Sequence, residues 1–263
     1  MSYAPAWRSI AGMSRTHWAR LGAVLVAAGL LWPAAAVAIP GSSPHAVVDI
    51  WSSTTRPGAS GALGYAARFH AAGDPSGDPP ALRHLVIELP PGTRIDTSVL
   101  PRCTATDEEI ELRGESACPP GARIGSGEAT ARILGFGTQT FETVIYNAED
   151  DMLELIKSGD RVMSVVHTYV RGTTLDGPVP TCLNGGNPPD GCPFDQVTLL
   201  SNYLEVNAAT VGGRNYGTTP PKCPKSKRWR TPVTFYFGDG SVERATTQQR
   251  CSRPKKKRRP SRR

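Results

Sequence analysis

The fold is indicated most clearly by the stretch Val233-Thr-Phe-Tyr-Phe-Gly-Asp-Gly-Ser-Val-Glu-Arg244. Apolar and polar side chains alternate on both sides of Gly238-Asp239-Gly240, as they do in strands with one buried face. The Asp-Gly pair tolerates the positive φ angles that a tight turn between two strands requires. This stretch therefore predicts a β-hairpin.

Similar strand-like runs recur along the chain, while helical periodicity never persists for more than two turns. Turn formers are dense, with 27 Gly and 24 Pro. These features predict an all-β fold, an antiparallel β-sandwich of immunoglobulin-like or jelly-roll-like type, over residues 39–252 as one sandwich or two smaller ones. The predicted strands before the hairpin are Ala46–Trp51, Leu63–Phe69, Leu85–Leu89, Gly127–Leu134, Phe141–Tyr146, Met152–Ile156, Val162–Val170 and Val197–Val206.

One short helix is predicted at residues 107–113, because Thr106-Asp-Glu-Glu109 fits a capping box and Gly114 follows as a stop. The six cysteines are even in number and are expected to form disulfides that pin loops. Six cysteines allow 15 pairings, of which pairing between sequence neighbours is the simplest. It joins Cys103 to Cys118, Cys182 to Cys192 and Cys223 to Cys251. Zinc is disfavoured, since there is no C-x-x-C and no histidine close to any cysteine.

Residues 1–38 are predicted to be a cleavable secretory signal peptide. Basic residues precede an apolar run, and Ala36-Val37-Ala38 fits the small-residue cleavage pattern. The apolar run is about a dozen residues, too short for the roughly 20 that a transmembrane helix needs. Translation starts at Met1 or Met13, and the sequence leaves both open. The expected location is secreted, extracellular or attached to the cell envelope.

The basic charge of the chain lies mainly outside the predicted domain. The formal net charge is +7, but residues 39–252 carry 19 basic and 23 acidic side chains, so the fold itself is mildly acidic. Specific nucleic-acid binding is therefore disfavoured. Residues 253–263 are predicted to be a disordered basic tail. It is either an inert solubilising extension or a segment that binds a polyanion, such as an anionic envelope polymer, a lipid surface or extracellular nucleic acid. The candidate polyanion-binding residues are Lys255, Lys256, Lys257, Arg258, Arg259, Arg262 and Arg263.

The chain resembles a large family of uncharacterised exported β proteins that are abundant in soil actinobacteria. The resemblance covers about residues 60–251 and implies a β fold and export, but no activity, because none is established for the family. The strongly basic tail after Cys251 departs from the family's usual short ending. The segments that carry the resemblance are Leu89-Pro-Pro-Gly92, Leu100-Pro-Arg-Cys103, Ala117-Cys118-Pro-Pro-Gly121, Ile124-Gly-Ser-Gly127, Val144–Asn147, Pro220–Pro224, Trp229 and Asp239-Gly240.

Catalytic and cofactor motifs are missing from the sequence. It contains no nucleophile elbow, phosphate-binding loop, H-E-x-x-H or EF-hand pattern. His167, within Val165–Val170, is interpreted as a structural histidine. Two carboxylates would be enough for glycoside hydrolysis. An acidic cluster could supply such a pair or a calcium-binding loop, although a polar turn between two strands explains it equally well. It consists of Glu149, Asp150, Asp151 and Glu154.

The sequence thus predicts a non-catalytic secreted or envelope-associated binding or structural protein without a cofactor or metal. Its ligand is not indicated. The alternative is a secreted glycoside hydrolase, or another polysaccharide-modifying enzyme, that uses two carboxylates.

Overall fold

The computed structural model describes residues 38–183 and 186–252. Apart from Ala38, the predicted signal peptide lies outside these residues, as does the predicted basic tail. The α-helix is α1 (Asp107–Arg113), followed by 3-10 turns at Gly114–Ala117 and Pro120–Ala122. The strands are β1 (Ala38–Ile39), β2 (Gly41–Ser42), β3 (Ala46–Ser52), β4 (Leu63–Phe69), β5 (Leu82–Glu88), β6 (Arg94–Ile95), β7 (Arg123–Ile133), β8 (Gly137–Asn147), β9 (Asp151–Ser158), β10 (Arg161–Arg171), β11 (Thr174–Pro178), β12 (Val197–Val206), β13 (Thr210–Val211), β14 (Arg214–Asn215), β15 (Gly217–Thr218), β16 (Arg228–Phe237) and β17 (Val242–Arg250).

The described strands form one large antiparallel sheet, beside two small two-stranded pairs. The strand order is β1-β17-β16-β5-β11-β10-β9-β8-β7-β12-β4-β3-β2. Most neighbours are joined by hairpins, as in β7–β8, β8–β9 and β16–β17. The hairpin predicted at Asp239-Gly240 is confirmed, with Gly240 at φ +86°.

Side chains link the two ends of this sheet across a seam between β17 and β3. Gln249 accepts a hydrogen bond from the Ser52 amide at 2.8 Å, and its own amide group donates to the Ser52 carbonyl at 2.5 Å. Glu243 accepts from the His45 amide at 3.0 Å. At the same seam, a Cβ on Gly41 would come within 2.8 Å of the Thr246 backbone, so only glycine fits. These contacts bring the sheet to a nearly closed, barrel-like form.

The all-β class predicted from the sequence is confirmed, but the sheet does not form a clear sandwich. Strand pairing is continuous from β1 to β2 instead of breaking into two packed layers. Alternation along a strand shows that one face is buried, and it is the same in a sandwich and in a barrel. Register shifts at Leu199/Ser201 and Tyr236/Phe237 mark β-bulges, which bend strands and help a sheet to curl.

One central strand was not predicted from the sequence. β11 is Thr-Leu-Asp-Gly-Pro and lies between β5 and β10. Glycine and proline are rare inside strands, so local preference argues against a strand here. Proline is its last residue, and Leu175 is buried in the core, so tertiary packing overrides the local preference.

A second apolar core lies on the outer face of β8–β10, under α1. Ile110, with 0% exposure, is the buried residue of the helix and packs with Leu153 and Leu155 of β9. This explains why β9 is buried on both faces. The predicted helix is confirmed at residues 107–113 with its complete capping box at Thr106 and Glu109.

The three disulfides are those that pairing between sequence neighbours predicts. Cys103–Cys118 brackets α1, Cys182–Cys192 lies in the loop between β11 and β12, and Cys223–Cys251 brackets the β16–β17 hairpin. Because disulfides persist in oxidising compartments, they support a location outside the cytoplasm.

Within the described residues, no helix combines the length and the apolar character that crossing a membrane would require.

Candidate functional site

A cavity of about 480 Å³ lies inside the curled sheet. Its walls are formed by inward-facing residues of β3–β5 and β7–β12, and most of these side chains are aliphatic. Representative wall residues are Ile50, Leu85, Ile87, Ala131, Ile145 and Leu204. Its size falls in the range of roughly 300–1,000 Å³ that is usual for small-molecule sites.

The alternation of β9 places its residues on two different surfaces. Met152, Glu154 and Ile156 face the cavity, whereas Leu153 and Leu155 face the outer core beneath α1. Glu154 is therefore a carboxylate on an apolar inner wall, although its neighbours in sequence on both sides belong to another core.

Glu154 is 9% exposed and accepts a hydrogen bond from the Thr168 hydroxyl at 2.9 Å. Burial raises the pKa of its carboxyl to about 7; the Thr168 hydrogen bond opposes the rise, and the negative charge of Asp151 adds to it. Among the described residues that line the cavity, Glu154 is the only carboxylate, and none is Lys, Arg or His.

Other polar side chains also line the cavity: Gln139 and Ser158 at its mouth, Ser164 on β10, Tyr65 on β4 and Asn202 on β12. Burial raises the pKa of the Tyr65 hydroxyl, and the negative charge of Glu154 raises it further. The two side chains are therefore close enough to interact electrostatically inside the barrel. Asn202 of β12 places its side-chain carbonyl oxygen in a buried position where no described protein group donates to it. An amide side chain can both donate and accept hydrogen bonds, so Asn202 adds a polar group of either kind to this part of the wall.

The cavity reaches the surface at one end of the barrel. This end is formed by the β7–β8 turn, the β9–β10 turn and the loop after β11. The Leu134 amide of the β7–β8 turn donates a hydrogen bond at 2.9 Å to the Gln196 carbonyl in the loop after β11. Phe136 is 71% exposed there. The exposed lining residues all belong to this mouth, and they are Phe136, Gln139, Ser158, Met163, Pro178 and Leu183.

Glu154 lies far from this mouth. Ser158 lies at the mouth, and Glu154 is four positions earlier on the same strand, roughly 13 Å away along β9. The opposite end of the barrel is covered by the segments after β5 and β12, from which Ile95, Leu100, Ala209 and the buried Tyr216 pack against the core. The cavity thus has a mainly apolar entrance, where Gln139 and Ser158 are the polar residues, and a carboxylate at depth.

The acidic cluster proposed from the sequence is not brought together as a catalytic pair. Glu149 is exposed and pairs with Arg102 at 2.8 Å, and Asp150 occupies a turn with φ +51°. Asp151 accepts from His167 on the outer face. Glu154 alone of the four lines the cavity.

His167 connects the sheet to α1. Its Nδ1 lies 2.6 Å from an Asp151 carboxylate oxygen, and its Nε2 lies 3.1 Å from Asp107 at the start of the helix. The Asp151 hydrogen bond raises the pKa of the imidazole to about 9, with a further contribution from Asp107, although burial opposes the rise. A protonated ring held by two carboxylates has no free nitrogen for catalysis, so its geometry is structural.

Within residues 38–183 and 186–252, no group of three or more His, Cys, Asp or Glu side chains is placed to hold a metal ion. The seven basic residues proposed to bind polyanions lie in 253–263, outside the described residues.

The sequence identified Glu154 only as a member of an acidic cluster, and it did not identify Thr168, Tyr65 or Asn202. One signal was available: Glu154 interrupts the apolar run Met-Leu-Glu-Leu-Ile at a position with the same parity as Met152 and Ile156. A charge at an inward-facing strand position is costly unless it is paired or hydrogen-bonded, so this position stands out from its apolar neighbours.

Searches against protein-family models, curated proteins and solved structures give no match for this chain. The resemblance to exported actinobacterial β proteins therefore stays an expectation, and the function is inferred from the site alone.

Proposed function

We propose that this protein is a secreted, non-catalytic binding protein that holds an apolar small molecule inside its barrel. The observation that carries the proposal is the apolar cavity of about 480 Å³ with a mouth at one end. Burying an apolar molecule there removes its surface from water at about 25 cal/mol per Å², a large driving force for binding.

The wall chemistry favours binding over hydrolysis. Glycoside hydrolysis requires two carboxylates on either side of the scissile bond. Glu154 is the only carboxylate among the described lining residues. The hydroxyl groups of a polysaccharide would also find few hydrogen-bond partners on the aliphatic walls. A sugar-cleaving role is therefore less well supported than an apolar ligand.

Export and surface attachment complete the proposal. The three disulfides support an oxidising location, and the signal-peptide pattern of residues 1–38 supplies a route to it. The basic tail would hold the carrier near anionic polymers or lipid headgroups, where an apolar cargo is taken up or delivered.

Binding of an environment-sensitive apolar dye such as N-phenylnaphthylamine tests the proposal. We expect the disulfide-bonded protein to enhance its fluorescence, and A131F, which fills the cavity from β7, to weaken dye affinity about tenfold or more. The matched control is T130F, since the adjacent side chain faces outward and bonds Thr140 on the outer surface.

Thermal unfolding of both variants shows whether the fold is kept. The proposal is contradicted if the folded wild-type protein binds no apolar dye, or if A131F and T130F bind it as tightly as the wild-type protein does.

A further inference from the structure

We propose that the cavity selects an amphiphile whose inner end is a hydrogen-bond donor, such as the hydroxyl of a long-chain alcohol or the ammonium of a long-chain amine, and that Glu154 receives this end. The inference rests on the proposed function and adds the class of ligand. It also implies discrimination against molecules of the same length that end in a carboxylate or another anion.

The polar groups of the wall favour a donor. An ionised carboxylate only accepts hydrogen bonds and has room for several, and Thr168 supplies one donor to Glu154. The Asn202 amide can donate as well as accept, so it does not oppose a donor. Tyr65 can donate or accept. A ligand hydroxyl or ammonium can use the acceptor sites of the Glu154 carboxylate that Thr168 leaves open.

An anionic end meets no compensating charge at the same place. None of the described lining residues is Lys, Arg or His, so a buried carboxylate head would face Glu154 without a cation. Like charges in a low-dielectric interior repel strongly, and desolvating an unpaired anion is costly.

The groups that face Glu154 from neighbouring elements define its response to pH. Val166 and Thr168 of β10 and Ile145 of β8 carry no charge. The Tyr65 hydroxyl of β4 is neutral at neutral pH, and burial raises its pKa further. Asp151, on the same strand as Glu154, adds a negative charge nearby. With a pKa of about 7, Glu154 is mainly ionised at pH 8 and mainly protonated at pH 6. Protonation turns it into a donor that an anionic end can use.

The experiment compares three ligands of one chain length, dodecanol, dodecylamine and dodecanoate, as competitors of the apolar dye below their micelle concentrations. At pH 8 we expect the alcohol and the amine to compete roughly tenfold better than the acid. At pH 6 the disadvantage of the acid should shrink, because Glu154 is then mainly protonated.

E154Q, which is isosteric and neutral, should remove most of the discrimination at pH 8 and make it independent of pH. E128Q is the matched control, because Glu128 is exposed on the outer face of β7 and should leave selectivity unchanged. The wild-type pH series needs no variant, so the inference remains testable if E154Q does not fold.

The outcomes separate the two proposals. If the dye binds but the three ligands compete equally at pH 8, or the acid competes best, the donor inference is overturned and the binding function stands. If E154Q keeps the wild-type selectivity, Glu154 is not the selecting group. If neither dye nor ligand binds, the proposed function itself fails.

Discussion

At the scale of single residues, strand β9 carries two carboxylates in different surroundings, one facing the cavity and one on the outer face. Glu154 faces an apolar cavity, and burial moves its pKa towards neutrality. Asp151, three residues earlier, accepts a hydrogen bond from His167 on the outer face. The direction in which each side chain points, and not the local composition, determines whether it lines the cavity or links the sheet to the helix.

His167 should make the protein lose stability in alkali. Its folded pKa is raised from 6.5 to about 9, so the stabilisation is fully present below about pH 6.5 and is lost as the pH rises through 9. We expect the free energy of unfolding to fall by about 1–3 kcal/mol over this range and H167Q to reduce that slope.

Urea unfolding between pH 7.5 and 9.5 measures this effect. This pH range lies above the raised pKa of Glu154. Because burial disfavours its ionised form, Glu154 makes the protein less stable as the pH rises from about 4.5 through 7, mostly before the measured range begins. D107N removes the more exposed partner of His167 and should lower the slope less than H167Q does. An unchanged slope in H167Q would refute the assignment.

At the scale of elements, α1 has only seven residues, too few for a stable isolated helix in water. Its capping box, the Cys103–Cys118 disulfide and the packing of Ile110 hold it on the sheet. The sequence predicted the helix and its limits because caps are local signals. It could not predict the outer core, since the contact of Ile110 with β9 joins residues that are distant in the chain.

Replacing the buried anchor of α1 should test this packing. I110A is expected to cost about 2–5 kcal/mol in the free energy of unfolding. L112A, on the same helix with its side chain 84% exposed, should change stability by no more than about 0.5 kcal/mol. Denaturant titration compares the two variants.

Dye binding by folded I110A should stay near the wild-type value, because the outer core and the cavity are on opposite faces of β9. Comparable losses in I110A and L112A would mean that the helix is not anchored through Ile110.

At the scale of the whole molecule, the sequence predicted most of the strands, the disulfide pairing and the last hairpin, but not the cavity. The run Val197–Val206 coincides with β12, and its alternation shows that one face is buried. What that face meets depends on β5 and β9, which are distant from β12 in the chain. Whether curled strands leave a filled core or a cavity depends on volumes summed around the barrel, and no single strand encodes that sum.

The basic tail gives the prediction that concerns the chain as a whole. Protein that ends at Arg263 should be retained on washed cell envelopes more strongly than protein that ends at Ser252, and the difference should vanish as salt rises, because polyanion binding by Lys and Arg depends on counterion release. Sedimentation across a salt series measures retention. Equal retention of both forms at low salt would exclude attachment through the tail.

The seam between β17 and β3 also affects the order in which the chain can fold. The hydrogen bonds that Gln249 makes with Ser52 join residues 197 positions apart, whereas the disulfides span 10, 15 and 28 positions. Contacts between distant residues slow folding. The bridged loops and hairpins can therefore assemble first, while β3 stays without its seam partner until the last strand is available. A chain crossing a membrane from its N-terminus would close its barrel, and gain its cavity, only at the end of export.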